Sequence, residues 1–251
     1  MSFKDKVIIV TGGGSGIGAA IAMGFVKQKA NVAIVGRNED KLLTVAEKCT
    51  AIGKEVLIIR ADVSKEEDVV RIVQATVDRF GKLDVLVNNA GFSRPGSILE
   101  GHILKAYDEV MNTNLRGKIH LTTLATPHLT KTKGNVVNIS SVTGWSTFGV
   151  PALFTYSISK AALNHFTKCA AMELAPLGIR VNAISPGPVE TDILINSEFP
   201  GSWDDYKRLT ALDKVAQPEE IADLVMFLAS DKAKSITGSN YISDNGMLLK
   251  C

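Results

Sequence analysis

Cysteine is scarce and badly placed for cross-links or metal. Cys49, Cys169 and Cys251 form an odd, widely spaced set without a C-x-x-C pair. That leaves neither a zinc reading nor a thioredoxin-like one, and it suits free thiols in a reducing compartment. An excess of one charge is missing too. Lys and Arg number 28 against 26 Asp and Glu, and no basic block stands out, so neither nucleic acid nor an anionic membrane is expected as a partner. No apolar stretch approaches the roughly 18 residues of a membrane helix. The opening Met-Ser-Phe-Lys-Asp-Lys runs straight into the apolar run Val7–Val10, leaving no room for a signal peptide. His102, His120, His128 and His165 show no ligand or triad spacing, so no metal is expected. Linkers, repeats and low-complexity tracts are absent as well. These absences predict a soluble, cytoplasmic chain that folds as one domain over residues 1–251.

What the chain does contain is an alternation of short β-branched runs with longer segments of helical period. The runs are Val7–Val10, Val32–Val35, Val56–Ile59, Val85–Val87, Val136–Ile139, Arg180–Ile184 and Tyr241–Ser243. Most are continuously apolar, as strands buried on both faces of a parallel sheet must be. Between them, Val69, Ile72, Val73, Thr76, Val77 and Phe80 fall on one helix face, and Pro218–Leu228 opens with the helix-starting Pro-Glu-Glu. Seven strands separated by helices predict a doubly wound α/β domain of Rossmann type, with helices on both faces of a parallel sheet.

The first run leads into Thr11-Gly12-Gly13-Gly14-Ser15-Gly16-Ile17-Gly18 and then into a helical segment. Glycines at a strand-to-helix turn let backbone N–H groups approach a pyrophosphate at the positive helix end. Gly12, Ser15, Gly16, Ile17 and Gly18 are therefore candidate cofactor contacts. The second strand ends Val35-Gly36-Arg37-Asn38, with no carboxylate to hold a ribose 2′-hydroxyl. Arg37 is instead placed to meet a 2′-phosphate with a bidentate fork, which predicts NADP(H) over NAD(H). Glu39 and Asp40 read as first-turn helix residues favoured by the dipole.

Tyr156 and Lys160 lie at i and i+4, on one helix face. The other three tyrosines have no lysine at that spacing. An ordinary phenol ionises near pH 10, and an adjacent ammonium is expected to lower that value so that Tyr156 can exchange a proton with a carbonyl oxygen near neutrality. Ser141 follows the buried run Val136–Ile139, at the strand end where open α/β sheets bind ligands, and would polarise the same oxygen.

Thr11-Gly-x-x-x-Gly-x-Gly18, Asp62-Val63, Asn88-Asn89-Ala90-Gly91, Asn114, Ser140-Ser141, Tyr156-x-x-x-Lys160 and Pro186-Gly187 stand in that order. Each motif alone is weak; their joint order resembles the short-chain dehydrogenase/reductase family, in its single-domain branch of about this length. The resemblance implies catalytic roles for Asn114, Ser141, Tyr156 and Lys160, with Asn114 orienting a water in a proton relay and Lys160 also holding the nicotinamide ribose. It further implies that Asp62 and Val63 flank the adenine. Asn89, Ala90 and Gly91 would support the cofactor, and Pro186, Gly187, Val189 and Thr191 would wrap its nicotinamide side. Family members are commonly tetramers, which implies a homo-oligomer, tetramer or dimer, built on the helix of Tyr156 and a long helix Asn114–Lys131. Two features depart from the family pattern. Ser141 and Tyr156 are 15 residues apart, a little more than usual, which leaves Thr143 as an alternative to Ser141. The familiar Val-Asp-Gly-Gly ending is replaced by Ser243-Asp244-Asn245-Gly246.

Three segments should border the substrate: Gly91–Gly96, Trp145–Thr155 and a lid over residues 189–212. They carry Phe92, Trp145, Phe148, Phe154, Phe199 and Trp203. Such a concentration of aromatics predicts a pocket for a lipophilic ketone or secondary alcohol, with a steroid-like or ecdysteroid-like 3-keto compound among the candidates; core or interface packing is the alternative for some of them, Phe154 above all. Arg94 is the nearby cation that could meet an acidic group. The expected activity is thus an NADP(H)-dependent carbonyl reductase. The alternatives are a 3-oxoacyl thioester reductase and, in another class, a non-catalytic NADPH-binding interaction module.

Overall fold

The computed structural model describes residues 2–148, 150–193 and 202–250. Phe199 and Cys251, both singled out above, lie outside the described residues. All seven expected strands are present: β1 (Val7–Thr11), β2 (Asn31–Gly36), β3 (Leu57–Arg60), β4 (Val85–Asn88), β5 (Asn135–Ile139), β6 (Arg180–Pro186) and β7 (Asn240–Ser243). They form one sheet in the order β3-β2-β1-β4-β5-β6-β7, with every pairing parallel.

Alternate residues of each strand enter different cores. Ile8, Val10, Ile34, Val87 and Val137 face α1 (Gly16–Lys27), α2 (Glu39–Ala51) and α8 (Pro218–Ala229). Val7, Ile9, Val35, Leu86 and Val136 face α3 (Glu66–Phe80), α5 (Gly117–Thr132) and α6 (Phe154–Leu174). All five residues of β1 and of β5 are buried, so β1 reads as an apolar run up to Thr11, while β5 buries Asn135 and Asn138 beside its apolar residues. Each fully buried Val, Ile or Leu contributes about 1.5–3 kcal/mol.

Helix ends follow local chemistry. The Asn38 side chain accepts from the Lys41 N–H to cap α2, and Glu39 and Asp40 occupy its first turn as expected. Gln217 and Glu220 form a reciprocal capping box ahead of Pro218.

One helix departs from expectation. The segment read as Asn114–Lys131 starts earlier, with α4 (Ile103–Met111), then passes through a π-helical turn at Asn112–Arg116 before α5. Such turns are rare and tend to mark functional sites. The chain also forms α7 (Trp203–Arg208) and short 3-10 turns at Val142–Gly144 and Pro151–Leu153. Among the described residues, no helix is long and apolar enough to cross a membrane.

Because the chain steps outward from β1 to β3 and then returns to place β4 against β1, the sheet has a switch point between β1 and β4. A crevice opens there beyond the carboxyl ends of the strands.

Candidate active site

The crevice begins at the loop after β1. Gly12 and Gly16 have φ of +65° and +50°, a left-handed backbone that favours glycine. A Cβ on Gly12 would stand 2.7 Å from the Asn89 side-chain nitrogen, and one on Gly16 would stand 2.8 Å from Thr191 Cγ2. Gly18 has a different task. A Cβ there would come within 2.1 Å of the Gly12 carbonyl oxygen, so its absence lets α1 close against the loop. The Thr11 hydroxyl donates to the Val87 carbonyl and accepts from the Asn89 and Ala90 N–H groups, while the Asn89 amide donates to the Thr11 and Gly12 carbonyls. The end of β4 is thereby tied to the glycine loop.

Gly12, Ser15, Gly16 and Ile17 line a cavity of about 230 Å³. Its far wall is Asn89, Ala90 and Gly91, its floor is Ser141, Tyr156 and Lys160, and its opposite rim is Pro186, Gly187, Val189 and Thr191. Glycine backbone at Gly12 and Gly16, together with polar groups at Ser141, Tyr156 and Lys160, is the chemistry that would hold part of a dinucleotide here. A neighbouring cavity of about 670 Å³ shares Gly12, Ser15 and Gly91 and extends to Arg37, Asn38, Lys41 and Ser64. Asp62 and Val63 are not in its lining. The Asp62 carboxylate is occupied instead by the Ser64 N–H and hydroxyl, at 2.9 and 2.7 Å, and Val63 is buried.

A third cavity, of about 740 Å³, opens on the other side of Tyr156. Ser141, Tyr156, Gly187, Val189 and Ile193 border both it and the dinucleotide groove. Ser141 hydrogen-bonds Tyr156. Thr143 donates to Ser141 Oγ through both its N–H, at 3.2 Å, and its hydroxyl, at 3.1 Å. Ser141 therefore meets the phenol while Thr143 supports Ser141 from behind, although both border the cavity.

Electrostatics depart from expectation. Burial pushes the Tyr156 phenol up to about 12, against the opposing effect of the Ser141 hydrogen bond. Burial likewise pushes Lys160 down to about 7. The expected lowering of Tyr156 is not present in the chain alone. The reason is geometric: Lys160 Nζ lies 5.1 Å from the centre of the phenol ring and donates to the Ile139 carbonyl at 2.9 Å. Desolvation of both groups outweighs their proximity.

Asn114 sits in the π turn, fully buried. Its side chain is committed to neighbours: Oδ1 accepts from Phe92 N–H at 3.0 Å, and Nδ2 donates to the Phe92 carbonyl and to Ser159 Oγ. Its direct effect is to hold the strand-end segment that carries Gly91 and Phe92 against α6.

The aromatic residues divide. Phe148 and Trp203 line the large cavity, and Phe92 lines the dinucleotide groove instead. Trp145 is not in the large cavity's lining; it is half exposed, and its indole N–H donates to Ser185 Oγ. Phe154 is also exposed and absent from that lining. The wall is aliphatic to a degree that counting aromatics could not show, with Val142, Val150, Leu153 and Met247 joining Tyr206. Tyr206 stands three residues after Trp203, a helical spacing that could have found it. Arg94 pairs with Glu109 at 2.9 Å; the cations bordering the large cavity are Arg208 and Lys250.

Known proteins place this geometry. A protein-family model described as enoyl-(acyl carrier protein) reductase matches residues 12–248. L-fucose dehydrogenase of Bos taurus is 36% identical over 249 residues, covering 97% of this chain and 90% of the relative. A short-chain dehydrogenase/reductase of unknown function from Caenorhabditis elegans, solved with cofactor, superposes with a TM-score of 0.92 at 33% identity, covering 98% of this chain and 96% of that one. A short-chain dehydrogenase from Burkholderia cenocepacia, solved with NADP, gives 0.91 at 32% identity, covering 99% of this chain and 100% of that one. The chain belongs to the short-chain dehydrogenase/reductase family, oxidoreductases of alcohol and carbonyl groups that draw on a nicotinamide cofactor.

Proposed function

We propose that this chain is an NADP(H)-dependent carbonyl reductase that interconverts a lipophilic ketone and its secondary alcohol. One observation carries the reading: Ser141 and Tyr156 border both the dinucleotide groove and the apolar cavity, with Lys160 on the groove side. A carbonyl in the large cavity would thus meet two hydroxyl donors at the wall it shares with the nicotinamide. The cofactor, when bound, supplies or accepts hydride. The chain's own residues do the rest. Gly12, Ser15, Gly16 and Ile17 hold the pyrophosphate with backbone at the start of α1. Ser141 donates to the substrate oxygen. Tyr156 gives that oxygen a proton in reduction and removes one in oxidation. Lys160, whose Nζ lies 5.1 Å from the centre of the Tyr156 ring, would favour the phenolate when charged, against the burial that raises the phenol in the chain alone. Asp62 and Val63 act beside the adenine from outside the cavity wall, and Thr191 covers Gly16.

The preference for NADP(H) rests on the end of β2. Arg37 borders the adenosine-side cavity together with Asn38 and Lys41, and the tip of β2 carries Arg37-Asn38 rather than a carboxylate. The Burkholderia relative solved with NADP is consistent with that choice. A homo-oligomer working in the cytoplasm completes this reading.

Arg208 and Lys250 at the cavity wall favour one alternative, a 3-oxoacyl thioester or another ketone with an anionic end. NADPH oxidation against 3-ketosteroids, simple lipophilic ketones and a 3-oxoacyl thioester tests the proposal. Turnover that disappears in Tyr156→Phe supports it. Tight NADPH binding with no turnover on any compound would favour a non-catalytic binding module.

A further inference from the structure

Lys118 is a residue that the reductase reading leaves without a role. It sits on the first turn of α5, four residues after Asn114, and is fully buried with 2% of its surface exposed. An unpaired ammonium in such a place is costly, so a buried lysine needs a compensating reason. Its Nζ donates to the Asn88 carbonyl at 3.1 Å and to the Ile139 carbonyl at 3.3 Å. The Ile139 oxygen is also the acceptor that holds Lys160, at 2.9 Å. Two buried amines therefore converge on one backbone oxygen at the end of β5, one facing the dinucleotide groove and one behind it.

We propose that Lys118 is a positioning residue for Lys160: by sharing the Ile139 carbonyl from behind, it sets how firmly Lys160 holds its proton. This inference rests on the assignment of Lys160 to the proton-transfer machinery.

The charge distribution supports this division of labour. Two buried amines that share the Ile139 carbonyl oppose each other's charged form, so their titrations are coupled. Burial and the repulsion of Lys160 both depress Lys118, well below its ordinary value, whereas Lys160 is depressed by burial alone. Both shifts run the same way, so burial weakens the charged form of each amine, and the repulsion of Lys160 weakens that of Lys118 further. Facing Lys118 are the strand-end carbonyl of Asn88 on β4, that of Ile139 on β5 and the ammonium of Lys160 on α6. Among the described residues, Lys160 is the charged group that acts on it. The surroundings are polar but uncharged: Asn88 Nδ2 donates to Thr122 Oγ1 and to Asn138 Oδ1, and Asn138 donates to Thr167. Asn88 Oδ1 is buried without a partner. Among the described residues no carboxylate pairs with either amine, and the Ile139 carbonyl is the acceptor they have in common.

Lysine side-chain amine NMR on the full chain without cofactor or substrate tests this directly, with Lys160 identified by its loss in Lys160→Met. Removing Lys118 leaves the Ile139 carbonyl wholly to Lys160 and deletes the competing site, which strengthens the charged form. In Lys118→Met the Lys160 titration should move upward by roughly half a unit or more from its value near neutrality, and in Lys118→Gln it should move in the same direction by less. Thr122→Val, which disturbs the same polar layer without touching either amine, should leave it in place. A titration unmoved in whichever Lys118 variant folds would overturn the proposal, leaving Lys118 as a tie between β4 and β5. An equal shift in Thr122→Val would overturn it as well, because packing would then be the cause. The readout needs no turnover, so it stands apart from the test of the reductase reading.

Discussion

The two sides of Tyr156 are built on different principles. The cofactor side is made of backbone: a glycine loop in left-handed conformations, the ends of β1, β4 and β5, and side chains such as Thr11 and Asn89 that hydrogen-bond main chain. The large-cavity side, proposed to take the substrate, is made of side chains, contributed by the turn at Val142–Gly144, the segment through Leu153, Val189 and Ile193, α7, Met247 and Lys250. Backbone sites tolerate few residue types at fixed spacings, because a Cβ at Gly12, Gly16 or Gly18 collides with a neighbour. Apolar walls tolerate many. Substitutions should therefore separate into those that alter the chemistry or the cofactor and those that retune the substrate.

The largest effect is expected at the shared wall. Tyr156→Phe removes the proton but keeps the ring, and turnover should fall about 10²- to 10⁴-fold while NADPH affinity is retained. A loss of NADPH binding of similar size would erase the distinction between the two sides.

Lys160→Met probes the energetic cost of that wall. Lys160 ionises near 7 in the folded chain against an ordinary 10.5. Its folded value is depressed, so the stability it withholds is fully missing below pH 7 and returns as pH rises through the window from 7 to 10.5. Melting curves should show the variant more stable than the parent at pH 7, by on the order of a few kcal/mol, with the gap closing toward pH 10.5.

Arg37→Ala sharpens the cofactor side alone. Loss of a charged contact to a 2′-phosphate should weaken NADPH about 10- to 100-fold and leave NADH nearly unchanged in direct titration. The smallest effects belong to the substrate side. Phe148→Ala should raise KM for a lipophilic ketone about fivefold, the equivalent of roughly 1 kcal/mol of lost burial. Trp145→Ala should leave KM within about twofold, because its indole is turned to solvent and to Ser185.

The same contrast explains what the sequence disclosed. Seven strands are legible because parallel strands buried on both faces read as β-branched runs, and the glycine loop after β1 because a Cβ at Gly12, Gly16 or Gly18 collides with a neighbour. Tyr156 and Lys160 were legible from i, i+4 spacing, but the direction of the Tyr156 shift was not. Burial depends on α6 packing against β5, which no spacing encodes. The helix start was misplaced at Asn114 because a π turn has no periodic signature. Trp145 falls outside the large cavity's lining, because an aromatic count says nothing about which way a ring points. Val142, Val150, Leu153 and Met247 are ordinary aliphatics until the loops bring them together. The burial of Lys118 has no local signature; it comes from the convergence of β4, β5 and α5.

Transfer of deuterium from the labelled C4 position of NADPH to a ketone, read by mass spectrometry of the alcohol formed, tests the central claim most directly. The account predicts label in the alcohol from the parent enzyme and essentially none from Tyr156→Phe at equal NADPH occupancy. Label transferred equally well by Tyr156→Phe would contradict it, because the hydroxyl at the wall between the two cavities would then have no part in the chemistry.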